Sequence, residues 1–498
     1  MRALSKSKLI AWRQCPKRLW LEVHRPDFRQ QSAATQAAFT TGYAVGDVAR
    51  LVYDADQRGT VLDLDTLGIG GMLQQTQVLL PKRRPIFEAA FTIPGALALA
   101  DVLLPVGRGS RAAWRMVEVK SSTTVKPYHV EDSAIQFYIA TQAGLKLDSI
   151  AVAVVDTTFV YPGHQRYADL LKEQDVTDAV IAIQSDVAQW IRKAQKTVAK
   201  RLEPRACTGA HCDAPFACGF LPYCQSQELP VSPVEFPVSW LPKVQTKALK
   251  DHLANSAVQS MRDVPDSLLN AQQLRVKTQT LQNKTLFNKA AAKVDVSAWK
   301  YPLYFLDFET IAFAVPIWKR TRPYQQIPFQ FSVHRVDAKG KTTHQDFLDT
   351  SGKDPTEACA LALIAQCGRR GSVVAYNAGF EKMCIRMLAE RFAKHADQLM
   401  AIHDRIVDLL PVMEAHYYNP SQQGSWSIKV VLPAMVSDLR YDALDTVQDG
   451  GGAQAAYLQA IAPETSGAER NVLRAQLLAY CKLDTLAMLR IWQTLLED

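Results

Sequence analysis

The segment YFLDFETI, running from Tyr304 to Ile311, sets two carboxylates, Asp307 and Glu309, two residues apart inside a largely apolar run. Alternate side chains of a strand leave from one face, so a strand here brings both acids to the same side. A carboxylate in an apolar strand is costly to bury, and a pair is worse unless a cation neutralises it. A divalent-metal site accounts for the pair; the competing reading is an ordinary strand with two solvent-facing acids.

Two downstream segments have the same character. VVAYNAGFEK places Asn377 and Glu381 after a short β-branched run, and LLAYCKLDTLAMLRIW places Tyr480 and Asp484 four apart, on one face of an apolar helix. Together these segments resemble the DnaQ-like exonuclease superfamily of the RNase H-like fold, in its subtype with a Tyr-x-x-x-Asp third motif. The resemblance implies that Asp307, Glu309, Glu381 and Asp484 hold two ions, Mg²⁺ or Mn²⁺. One ion would activate a water and the other stabilise the leaving oxygen, while Tyr480 orients the attacking water. The superfamily's second motif usually ends in Asp, whereas here Phe380 is followed by Glu381, whose extra methylene shifts the geometry or interposes a water. Asp408 is a candidate supporting carboxylate. SWSIKVVLPAM, with Ser427 and Lys429, looks like the Ser-containing helix start of these nucleases. Lys429 and Asn377 are then candidate nucleic-acid contacts, the alternative for Lys429 being a surface lysine. In DGGGAQAAY, the backbone amides offer a phosphate cradle, or Asp449 simply caps a helix.

Nine cysteines are unevenly distributed. Cys359, Cys367, Cys384 and Cys481 sit in apolar helical patterns, as small buried hydrophobes do. An odd count without an export signal argues against a disulfide framework. In RACTGAHCDAPFACGFLPYC, Cys212, Cys218 and Cys224 recur among Gly and Pro, with Cys15 the candidate fourth thiolate. The arrangement resembles the iron–sulfur clasp of RecB-like nucleases of the CRISPR-adaptation and AddB types, and implies a 4Fe-4S cluster on Cys15, Cys212, Cys218 and Cys224. Structural zinc is the alternative. Cys207 is an additional cysteine that could replace Cys212.

Between the cysteine arms, IFEAAF presents Glu88, LALADVLLP presents Asp101, and RMVEVKSS presents Glu118 and Lys120 on one strand face. The Asp and Glu-x-Lys order resembles the PD-(D/E)XK nuclease core. It implies a metal on Asp101 and Glu118, with Lys120 positioning a water or screening the phosphate. Exposed strands also alternate such charges. Gln136 and Tyr138 follow on a helix, as in the Gln-Tyr motif of RecB-like members, although the usual spacing is Gln-x-x-x-Tyr. These relatives often carry an early histidine ligand. FTTGYAVGDVARLVY has none, so Glu88 becomes the candidate replacement.

The 498 residues suit two to four domains, and no apolar run approaches the roughly 20 residues of a membrane span. The basic N-terminus lacks the apolar core of a secretory signal, so a cytoplasmic protein is expected. The net charge of +8 is compatible with a polyanionic partner. Residues 1–30 hold eight Lys or Arg against two acids, with Trp12 and Trp20 among them. That mix suits phosphate contact and base stacking, or a basic helix packed by its tryptophans. The expected architecture is α/β: a RecB-like nuclease domain with its cysteine clasp over 1–227, a proline-rich helical linker over 228–300, and a DnaQ-like exonuclease domain over 301–498. The chain resembles an uncharacterised bacterial family joining these two nucleases. The expected function is metal-dependent hydrolysis of DNA at two sites, in repair or defence. The alternatives are a single active site, an RNA substrate, or an iron–sulfur nucleic-acid-binding scaffold.

Overall fold

The computed structural model describes residues 2–228, 234–256, 258–436, 438–441 and 447–497, with only the backbone of residues 33 and 34. Residues 229–233, the start of the expected proline-rich linker, lie outside the described residues. The chain divides into two units, residues 1–229 with 312–325, and residues 230–311 with 326–498. Both are α/β with mixed sheets.

Among the described residues, the first unit is built on seven strands: β1 (Leu4–Ser5), β2 (Thr60–Val61), β3 (Ile86–Ile93), β4 (Ala96–Val106), β5 (Ala113–Lys120), β6 (Leu147–Val155) and β7 (Leu171–Asp175). Strands β2 to β7 follow one another in order, and β1 pairs with β4. Parallel pairing of β5 with β6 requires a crossover, which the helix Pro127–Gln142 supplies. That helix starts with Pro127 in its first turn, where a missing N–H costs nothing, and the chain turns at Gly144, whose φ of 94° suits glycine. Trp114 and Met116 of β5 pack with Ile135 and Ile139 of the helix. Glu118 and Lys120 share the parity of Trp114 and Met116, so the same pleat delivers them to the helix side of the sheet.

The second unit carries β8 (Leu286–Phe287), β9 (Leu303–Ile311), β10 (Ile327–Val336), β11 (Thr342–Leu348), β12 (Val373–Ala375), β13 (Ile406–Asp408) and β14 (Tyr417–Tyr418). Five strands form one sheet in the order β11-β10-β9-β12-β13, antiparallel as far as β9 and parallel beyond it, while β8 pairs with β14. Tyr304, Leu306 and Phe308 of the central β9 enter a core with helices Thr356–Cys367 and Gly379–Arg391. The intervening residues face the 30-residue helix Gly467–Leu496, with the Phe305 ring 5.6 Å from that of Trp492. The stretch expected as a linker is part of this unit, contributing helices Lys247–Asn255, Ala271–Gln282 and Lys289–Ser297 as well as β8. Among the described residues, no helix is long and apolar enough to cross a membrane.

Candidate functional site

On β9, Asp307 and Glu309 do leave from one face, and the long helix places Asp484 beside them. One carboxylate oxygen from each of the three lies within 4.8 Å of the other two. Glu309 and Asp484 are buried, so repulsion among the acids is little screened. Burial, followed by the Asp484 charge, pushes Glu309 up to about 8; burial likewise raises Asp484 to about 6, and Asp307 moves in the same direction. Glu381, in the first turn of Gly379–Arg391, is 3% exposed and also rises to about 8 through burial and the charge of Asp408. It contributes to the field on Asp307 and Glu309 but stands outside the tight group of three. Its Oε2 is buried and has no hydrogen-bond partner. Buried polar atoms are rarely left so; a divalent cation would satisfy this oxygen and offset the repulsion of all four acids. The residues present therefore fit such an ion.

Tyr480, one helical turn before Asp484, is buried at this site, and its hydroxyl accepts a 3.1 Å hydrogen bond from Lys429 Nζ. Lys429 also donates to the Gln448 carbonyl and lies over the Tyr480 and Tyr441 rings. Lys429 is thus tied to the site. Tyr441 was not found from the sequence; its hydroxyl donates to Asp484 Oδ1 at 2.6 Å. Asp408 has another part: it accepts backbone N–H bonds from Asn377, Ala378 and Leu410, fixing the turn into the helix that carries Glu381. Asn377 is exposed at that turn, with φ at 67°. Asp449 takes the capping alternative, accepting from Gly452 N–H at the start of helix Gly450–Ile461.

In the first unit, Asp101 Oδ2 accepts the Val119 N–H at 2.8 Å, which draws its carboxylate to β5. Glu118 is 1% exposed and receives Lys120 at 2.6 Å, Lys6 at 2.8 Å and the Gln136 amide. Lys120 also reaches Asp132 at 2.5 Å. Burial alone would raise Glu118, but the two lysines outweigh it and hold its pKa low. Asp101 keeps the opposite balance: burial and the Glu118 charge lift it to about 7 against weaker help from Lys6 and Lys120. Glu88 stands on β3 between the pairs Phe87↔Val102 and Ala89↔Ala100, in unbroken register with β4, with φ at 59°. Burial raises its pKa as well. Four carboxylates, Glu88, Asp101, Glu118 and Asp132, thus face two ammonium groups, and the buried Gln136 Oε1 has no partner. A divalent cation would offset that imbalance, although among the described residues no three of these carboxylates lie mutually within 4.8 Å.

Asp132 and Lys6 were missed in the sequence. Asp132 had a signal, since it lies four residues before Gln136 on the same helical face. Lys6 had none, because 112 residues separate it from Glu118. Tyr138 packs against the apolar core, whereas Gln136 donates to Glu118. The two tryptophans take the packing alternative, Trp12 donating to Thr197 and Trp20, 9% exposed, to the Lys200 carbonyl.

The five cysteines Cys15, Cys207, Cys212, Cys218 and Cys224 line one pocket, and none is in a disulfide. Cys15 is the residue between helices Lys6–Gln14 and Pro16–His24. Burial raises Cys218, and lifts Cys224 to about 11, with the neighbouring sulfurs adding to both. Cys15 and Cys212 act electrostatically on both of these thiols; Cys207 is exposed. Four sulfurs on one zinc would stand about 3.8 Å apart, from the 2.3 Å Zn–S bond and tetrahedral angles. Among the described residues, no three of these sulfurs lie mutually within 4.8 Å. Soft thiolate donors such as these would suit zinc or an iron–sulfur cluster.

A family model described as "Domain of unknown function (DUF2779)" matches residues 304–427. The match takes in Asp307, Glu309, Glu381 and Asp408 but stops before Lys429, Tyr480 and Asp484. No curated protein matches the chain.

Proposed function

We propose that the chain is a metal-dependent nuclease that hydrolyses DNA phosphodiester bonds at two sites, in repair or in defence against foreign DNA. On this reading the first unit is a RecB-like PD-(D/E)XK core clasped by a 4Fe-4S cluster on Cys15, Cys212, Cys218 and Cys224. The second is an RNase H-like, DnaQ-type exonuclease domain. The observation that carries the reading is the convergence of Asp307, Glu309 and Asp484 from a strand and a helix, with Tyr480 one turn away. Such buried, mutually repelling acids are poor structural elements and good ion ligands.

Mg²⁺ or Mn²⁺ held by these acids would polarise a water and stabilise the leaving oxygen. The chain's own groups do the rest. Lys429 donates to the Tyr480 oxygen, which leaves the phenolic proton to orient the attacking water. Tyr441 fixes Asp484 through its 2.6 Å bond. In the first unit, Lys120 lies against Glu118, where an ammonium screens charge on a phosphate.

The test is anaerobic purification followed by digestion of separately 5′- and 3′-labelled single and double strands, with matched RNA and DNA. Metal-dependent release of nucleotides from DNA is expected, and a brown preparation marks iron. Tight DNA binding without metal-dependent cleavage would overturn the proposal in favour of a binding scaffold.

A further inference from the structure

We propose that Lys6 is the resident counter-ion of the N-terminal acidic site, occupying the place from which a divalent ion must displace it. This rests on the reading of Asp101 and Glu118 as metal ligands. Pairing of β1 with β4 and the Ser5 cap anchor the start of the first helix, so Lys6 is aimed into the sheet by backbone that precedes it directly. Its ammonium lies 2.8 Å from Glu118 Oε1, 3.7 Å from Asp101 Oδ1 and 3.9 Å from Asp132 Oδ2. Lys120, by contrast, pairs with Glu118 and Asp132. Of the two lysines, Lys6 is the one between the two candidate ligands.

That position sets the ammonium against the same carboxylates that would hold a metal. Asp101 and Glu118, which would each supply an oxygen to the ion, already offer one to Lys6. Lys6 Nζ is within hydrogen-bond distance of one of those oxygens and less than 4 Å from the other, so an ion held there and the ammonium would repel at close range. The side chain is 18% exposed and has a four-carbon stem, which gives the ammonium a way out. Lys6 thus stabilises the acids when no metal is present and competes with metal when it is. Displaced, it becomes a cation at the rim of a phosphodiester site.

The test is Mn²⁺ binding by calorimetry to the full-length chain carrying Asp307→Asn and Asp484→Asn, so that the C-terminal acids do not report. In that background Lys6→Met is expected to bind Mn²⁺ at least tenfold more tightly, and to unfold at a lower temperature without metal. Lys6→Arg, which keeps the charge, is expected to bind no more tightly than the parent. Equal or weaker binding by Lys6→Met, with the parent binding, would overturn the proposal and leave the metal site standing. Absence of binding to both would overturn the metal reading of Asp101 and Glu118 and the proposal with it. A second measurement needs no substitution at Lys6: saturating Mn²⁺ is expected to raise amine acylation of Lys6 severalfold relative to the exposed Lys339. Unchanged labelling would count equally against displacement.

Discussion

Glu309 and Glu381 are held well above the ordinary carboxylate range, both at about 8, by burial and by neighbouring acids. A carboxyl whose pKa is raised in the folded state binds protons more tightly there than in the unfolded chain. Its contribution to stability is therefore present below the unfolded value and is lost as pH rises through the folded one. With chelator present, the second unit is expected to lose stability between about pH 4.5 and pH 8, as read by urea denaturation at steps across that window. Mg²⁺ or Mn²⁺ should remove most of that loss, and Asp307→Asn should reduce it; a flat profile would mean that the acids are already compensated. At the thiol pocket the residues also differ in kind. Cys218 is half-buried and feels the charge of Cys15 and Cys212 whereas Cys207 is exposed, so Cys218→Ser is expected to abolish iron binding and Cys207→Ser to leave iron content unchanged. Iron analysis of the two proteins decides between them.

At the level of elements, much was legible because it rests on period. The alternation in YFLDFETI and the four-residue spacing of Tyr480 and Asp484 follow from strand and helix geometry alone. β7 and β11 were not expected: both are edge strands, mostly exposed, with too few apolar residues in LKEQD and TTHQDFL to mark an inward face. Glu88 illustrates a second limit, since nothing in IFEAAF announces a left-handed residue inside a strand. A non-glycine residue held at positive φ costs on the order of 1 kcal/mol. Glu88→Gly is accordingly expected to raise the denaturation free energy of the first unit by about 1 kcal/mol while weakening its metal binding. A loss of stability instead would show that the Glu88 side chain, and not its backbone strain, dominates at that position.

Across the whole molecule, the groups that sequence reading missed came from tertiary packing. Lys6 reaches Glu118 over 112 residues, and Tyr441 reaches Asp484 over 43. Cys15 was assigned to the cysteine loop from its resemblance, and it lines one pocket with Cys207, Cys212, Cys218 and Cys224, though the resemblance could not say how Cys207 differs. All residues named for one acidic set lie in the first unit, and all those named for the other lie in the second. The two proposed activities should therefore be separable by single substitutions. The direct measurement is metal-dependent release of nucleotides from end-labelled DNA by the unaltered chain, Asp307→Ala, Lys120→Ala and the double variant. Each single substitution is expected to remove one cleavage pattern and spare the other, with the double variant at background. Digestion by the double variant at the rate of the unaltered chain would contradict the assignment of either acidic set to phosphodiester hydrolysis.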